Sequence, residues 1–304
     1  MRNTTYYHYD ADGNLSQITD ALGHARTFTS DGIGRLVGSA DPKGHTSAFA
    51  YDASSRLVAA TDALGHASTL GYDQSGRLTS ISDPKGRVTQ YSYDDQSNLT
   101  AVTDAVGHVT TYAYDANNHL TQITDANGHA TQYHRDALGR LTAVIDPIGR
   151  ATHYTYDGNG NLVSKTKADG NTITYTYDAD NRLTTVSYPD STKATYVYDA
   201  AGRLISSTYC TWRADYSYDA LDHLIEKTLP GTGFSVGFSY DPAGNLKRIE
   251  VMRNSTPLYG VDHSHDAANQ LVEVVDGIED QTVGFTYDPP GNLTRTEYDN
   301  GAQT

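Results

Sequence analysis

The stretch Tyr112-Ala113-Tyr114-Asp115-Ala116-Asn117-Asn118-His119-Leu120 decides the reading of this chain, because it recurs every 21 residues. Its Asp falls at Asp10, Asp31, Asp52, Asp73, Asp94, Asp115, Asp136, Asp157, Asp178 and Asp199 without a slip. Asp219, Asp241, Asp266 and Asp288 continue the pattern at looser spacing. Self-similarity at a fixed period is the signature of a repeat architecture. It predicts one continuous array over residues 1–304, regular over 9–201 and looser over 202–304.

With the Asp as position 0, each position has a physical role. Tyr precedes it in Tyr9-Asp10, Tyr51-Asp52, Tyr72-Asp73, Tyr93-Asp94, Tyr114-Asp115, Tyr156-Asp157, Tyr177-Asp178 and Tyr198-Asp199; Ser30, Arg135 and His265 break the row. Position −3 is also aromatic in most copies, as at Tyr112. Residues two apart in a strand share a face, so each repeat presents two aromatics in line. Position +3 is Gly13, Gly76, Gly160 or Gly202 in some copies and Ser, Asn or Asp in others. Asp at the first corner and a residue tolerant of positive φ at the fourth suit a type I turn that closes a hairpin. Position +5 is always Leu, as at Leu15, Leu57, Leu78, Leu99, Leu120, Leu162, Leu183 and Leu204.

A second turn lies halfway, in Asp20-Ala21-Leu22-Gly23, Asp41-Pro42-Lys43-Gly44 and Asp83-Pro84-Lys85-Gly86. Pro presets φ at the second corner and Gly closes the fourth. Each repeat is then strand, turn, strand, turn, with Thr, Tyr, Val and Ile in the strands. The fold class expected is all-β: a spiralling antiparallel hairpin meander of about 14 repeats that forms a wall. Leu at +5 and the aliphatic residue at +8, as in Leu120 and Ile123, are an odd number apart. In straight strands they face opposite ways, so neither face is assigned inside or outside. Asp299-Asn300-Gly301 resembles another second turn. Both ends cut the pattern, which predicts two open sheet edges that pair with further copies or are capped by a plug.

Composition narrows the function. The chain has 304 residues and a net charge of −15 from 22 basic and 37 acidic residues, with no basic stripe. This excludes nucleic acid as the expected partner and predicts no insertion into a membrane. Tyr supplies 24 residues and Phe 5. A dry core built mainly of Tyr would bury many hydroxyls, so a wetter interior is expected. Cys210 is the only cysteine, so an intrachain disulfide is impossible.

Several rows invite a sharper chemical reading. His24, His45, His66, His108 and His129 follow the second turn, and Arg87 and Arg150 fill the same place elsewhere. A metal ladder is opposed by spacing, because equivalent strands lie two strands apart, roughly 9.5 Å. Ligands shared by one ion sit near ~2.0–2.1 Å from it. Asp157-Gly158-Asn159-Gly160-Asn161 begins like a calcium loop, but Ala168 stands where the twelfth-position Glu belongs. Cys210 with His223 or His119 has no spacing motif that would make it a nucleophile pair. No catalytic, cofactor or metal residue is assigned, and the expectation is a protein without enzymatic activity. Tyr112 and Tyr114 are the candidate platform for a carbohydrate ring.

The phrases Tyr72-Asp73-Gln74-Ser75-Gly76-Arg77-Leu78, Tyr156-Asp157-Gly158-Asn159-Gly160-Asn161-Leu162 and Asp62-Ala63-Leu64-Gly65-His66 resemble the YD repeats of RHS-repeat proteins. The resemblance covers essentially the whole chain. It implies a hollow β-shell wound from hairpins, which in bacterial members encloses a C-terminal toxic domain and in teneurins sits outside the cell. Asp241-Pro242-Ala243-Gly244-Asn245 and Asp288-Pro289-Pro290-Gly291-Asn292 read as ordinary turns, so no self-cleaving residues are carried over. The expectation is a shell segment of a longer secreted or surface protein that confines a toxin or other cargo polypeptide. The competing expectation is an extracellular adhesion or glycan-binding module.

Overall fold

The computed structural model describes residues 2–277 and 281–299. These form 28 β-strands, and no helix occurs among them. By contact the chain divides into two units, residues 1–48 with 196–304, and residues 49–195. Within each unit the strand pairs are antiparallel and join neighbours in the chain, with one addition described below. The all-β hairpin meander is what the repeat predicts. The would-be turn at Asn300-Gly301 lies outside the described residues.

One repeat of the second unit shows how the elements arise. The strand Val109–Tyr114 leads into the turn, and Leu120–Thr124 returns. Asn118 N–H donates to the Asp115 carbonyl (3.0 Å), and Asp115 N–H to the His119 carbonyl (3.0 Å). Asn118 sits at φ +64°, as the type I turn with a left-handed fourth residue requires. The register then runs Tyr114↔Leu120, Ala113↔Gln122 and Tyr112↔Ile123. Thr121 is left without an opposite number, and its hydroxyl donates to the Ala113 carbonyl (3.1 Å).

That skipped residue is a β-bulge, and it resolves the odd spacing between +5 and +8. Residues opposite each other in an antiparallel pair share a face. Leu120 and Ile123 therefore stand on the same face as Tyr114 and Tyr112, because the bulge absorbs one residue of phase. The expectation that the faces are mixed is corrected. One face carries Tyr, Leu and Ile or Val; the other carries small or neutral residues such as Ala113, Ser92, Ala101 and Gln122. Along Val109–Tyr114 the Tyr side is the less exposed one.

That face is not deeply buried. Among the described residues only Ala143, Val186, Ala194, Ala214, Gly260 and Thr296 are buried. With so few residues buried, the strands are stabilised mostly by their lateral neighbours and by what runs along the rows.

In the first unit the structure overturns the open edges expected from the sequence. The strand Arg2–Tyr9 pairs not only with Leu15–Thr19 but also with Leu293–Asp299, in the register Arg2↔Asp299, Thr4↔Glu297 and Tyr6↔Arg295. The terminal strands occupy each other's hydrogen-bonding edges. Further copies or a plug are not needed to satisfy them.

Candidate functional site: the tyrosine face

The Asp of each first turn organises three kinds of link. Asp73 Oδ1 accepts hydrogen bonds from Ser75 N–H (2.9 Å) and Arg77 N–H (2.9 Å). Its Oδ2 accepts Arg77 Nε–H (2.7 Å). The backbone and then the side chain of Arg77 hold this carboxyl below its usual pKa. Arg77 reaches onward into the next repeat. Its Nη1 donates to the Asp94 carbonyl (2.8 Å), and its guanidinium lies 4.9 Å from the centre of the Tyr93 ring. Arg56 over Tyr72, Arg140 over Tyr156 and Arg203 over Tyr218 repeat the arrangement.

The tyrosine before the Asp completes the link. Tyr93 Oη donates to the Leu78 carbonyl (2.9 Å), which belongs to the repeat before. Tyr72 does the same to Leu57, Tyr114 to Leu99, Tyr156 to Leu141 and Tyr177 to Leu162. The reason lies in the ladder. Strand pairing between Leu99–Thr103 and Val109–Tyr114 begins at Ala101↔Thr111. Leu99 lies beyond its end, and the Tyr114 hydroxyl takes the carbonyl that no backbone N–H reaches. This explains why −1 is Tyr and never Phe, whereas −3 accepts Phe28, Phe49, Phe238 and Phe285. Tyr9 donates to the Leu293 carbonyl (2.9 Å). The last repeat thus stands to the first as any repeat stands to its successor.

Position +4 forms a further linking row that the repeat pattern does not announce. It alternates among Arg, Asn, His and Gln, so no single residue type marks it. A signal was present nonetheless. Asn at +4 is followed by Asn at +3 of the next repeat in the pairs Asn98 with Asn118, Asn161 with Asn181 and Asn245 with Asn269. Each pair is hydrogen-bonded, at 2.9, 2.7 and 2.9 Å.

The proposed chemical rows take their places in this frame. His24 Nδ1 meets Asp20 Oδ2 at 3.0 Å and His45 Nδ1 meets Asp41 Oδ2 at 2.8 Å. Arg87 and Arg150 make the same contact to Asp83 and Asp146, both at 2.6 Å. The row is a turn-bracing pair in either form. Asp157 Oδ1 accepts from the N–H groups of Asn159 and Asn161, and Oδ2 from Asn161 Nδ2, so both oxygens serve the turn. Cys210 is exposed at a hairpin tip. The His223 imidazole is engaged by Asp219 (3.0 Å) and stacks on Tyr240 at 4.5 Å. Among the described residues no three His, Cys, Asp or Glu side chains come together around a common point.

Tyr112 and Tyr114 stand side by side on one face, as expected, but they differ. Tyr114 is tied to Leu99. Among the described residues the hydroxyls of Tyr91, Tyr112, Tyr133, Tyr154 and Tyr175 have no hydrogen-bond partner within the chain, which leaves the −3 row as the chemically available one. Tyr112 and Tyr114 also border a shallow depression of about 590 Å³ with Asp94, Asn98 and Asn118. These five positions present rings and unpaired hydroxyls; at Tyr216 of the same row the hydroxyl meets Ser207 Oγ at 3.3 Å.

Comparison with known proteins follows from this geometry. No curated protein matches the sequence. The crystal structure of TcdB2-TccC3 without its hypervariable C-terminal region is similar at 16% identity and a TM-score of 0.49, over 95% of this chain and 20% of that one. The Photorhabdus luminescens Tc holotoxin pore is similar at 16% identity and a TM-score of 0.44, over 95% and 21%. The chain thus spans about a fifth of the length of these chains. The RHS repeat family matches residues 218–251, and the teneurin YD-shell family matches residues 48–229. With more than half of its length matched to that family, and with its repeats folded as Tyr-faced antiparallel hairpins, the chain belongs to the teneurin YD-shell family.

Proposed function

We propose that this chain is a non-catalytic wall segment of a longer secreted or surface protein, and that it confines a cargo polypeptide. Membership of the YD-shell family already carries a structural, shell-like role. The observation that supports enclosure is the one-sided sheet. In the described repeats a face of Tyr, Leu and aliphatic side chains runs from strand to strand and stays only partly buried. An unfolded or loosely folded polypeptide suits such a surface: its apolar side chains meet rings, and its backbone meets the free hydroxyls of the −3 row.

Protection from protease tests this. A destabilised polypeptide is fused after Thr304, and its digestion is compared with that of the same polypeptide fused to an unrelated soluble domain. Slower digestion, by tenfold or more, while the repeats stay intact is the expected result. Equal rates remove the enclosure reading. The adhesion reading is favoured by the same free hydroxyls. It predicts sugar binding that Tyr112→Phe weakens and that a control substitution at the exposed tip of a second turn, Lys85→Ala, leaves unchanged.

A further inference from the structure

One repeat of the second unit departs from the pattern at two places on the tyrosine face. Position +8 is Val144 in the repeat before and Val186 in the repeat after, but Lys165 between them. The first corner of the second turn is Asp in the seven preceding repeats, from Asp20 to Asp146, but Lys167 here. Neither lysine serves the structural role of the residue it replaces, because that role has moved. Lys165 lies between Tyr154 and Ile173 in the cross-strand row. In the preceding repeats the third place of that row is Thr131 or Thr152, so Ile173 supplies the aliphatic group that Lys165 does not. The turn still closes through Gly170 N–H to the Lys167 carbonyl (2.9 Å). Asp169 takes over the cap, accepting from Asn171 N–H at 2.9 Å.

The two ammonium groups open onto a depression of about 380 Å³ with Arg150, Tyr154, Asp146 and Asp169 in its lining. Arg150 is held by Asp146 at 2.6 Å. Three cations and two carboxylates leave the lining at +1, in a chain whose net charge is −15. Lys165 Nζ lies 5.8 Å from the centre of the Tyr154 ring, which keeps its stem along the sheet. Lys165 and Lys167 are two residues apart on the strand line, roughly 6.6 Å, the same interval as alternate side chains of any extended peptide.

We infer that this depression binds an acidic stretch of polypeptide, with alternate carboxylates of an extended segment on Lys165 and Lys167 and its backbone over Tyr154. The inference deepens the cargo reading and rests on it for the origin of the peptide. Lys227 over Tyr216 provides an internal comparison. It makes the same ring contact at 5.8 Å, with Val236 taking the aliphatic place, but has no second lysine in its turn.

The test is fluorescence anisotropy of a labelled hexaglutamate peptide with the purified chain at low salt, which reads the site without any cargo. Lys165→Val with Lys167→Asp returns the repeat to the pattern of the one before it, Val144 and Asp146. It is compared with a charge-matched pair, Lys227→Val with Lys247→Asp. Binding weakened at least tenfold by the first pair and less than twofold by the second is the expected result. If the first pair does not fold, Lys165→Gln with Lys167→Gln gives the same reading. Failure of the unaltered chain to bind, equal loss in both pairs, or full displacement by inorganic phosphate at millimolar concentration would each overturn the assignment. The protease-protection result can fail while this one holds, and the reverse, so the two readings are separable.

Discussion

At the scale of single residues, neighbouring tyrosines on one face have different duties. Tyr114 gives its hydroxyl to the Leu99 carbonyl at 3.0 Å, and burial pushes its pKa up. Removing that hydroxyl leaves a carbonyl at the end of a ladder without a donor. Tyr114→Phe should therefore lose about 1 kcal/mol in urea denaturation, whereas Tyr112→Phe should change stability by less than about 0.5 kcal/mol. Glycines divide the same way. Gly65 holds φ +83° with nothing near its missing Cβ, so Gly65→Ala tests backbone strain alone and should lose roughly 1–2 kcal/mol. Gly158 also faces open space but has ordinary φ, and Gly158→Ala should be neutral or slightly stabilising.

At the scale of the hairpin, the bulge and the Asp cap decide the outcome. Deleting Thr121 leaves Tyr112 opposite Ile123 and Tyr114 opposite Leu120, because Thr121 has no cross-strand partner. Deleting Ala113 instead swings Tyr112 and the residues before it onto the polar face. Chemical denaturation should show the second deletion to be worse by about 2 kcal/mol, the order of burying one large side chain. Acid tests the caps. The turn carboxyls, Asp73, Asp115 and Asp157 among them, sit below their ordinary value of 3.8. For Asp73 and Asp115 the backbone hydrogen bond from position +4 leads the causes, and for Asp157 the side-chain bond from Asn161. As pH falls, the unfolded chain takes up protons before the folded one does. The stability these groups contribute is therefore whole above about pH 4 and is lost as pH drops through their folded values. The urea midpoint should fall as pH drops below about 4. Turn variants such as Asp73→Asn should flatten that fall.

At the scale of the whole molecule, the pairing of Arg2–Tyr9 with Leu293–Asp299 decides how the chain behaves in solution. An unpaired strand edge is a template for association. Removal of residues 1–9 would free the Leu293–Asp299 edge and take away the Tyr9 bond to Leu293. The truncated protein should gain mass with concentration in light scattering, and the full chain should not. Equal behaviour would mean that the terminal pairing does not protect the edge.

The sequence by itself determined what depends on a residue and its near neighbours along the chain. The 21-residue period, both turns, the left-handed +3 position and the alternation within Val109–Tyr114 all follow from local sterics and the two-residue pitch of a strand. Even the choice of Asp at the turn is local, since it caps N–H groups two and four residues on. What only the tertiary structure decided depends on where a second strand lies. The bulge at Thr121 is a property of a pair of strands, so the shared face of Leu120 and Ile123 was hidden in an odd spacing. The Arg77 bridge to Tyr93, and the Tyr93 bond to Leu78, join groups on different repeats, and they appear only once the strands are in register. The union of the two terminal strands is the furthest removed from the sequence. It depends on small twists summed over many strands, and no local pattern reports that sum.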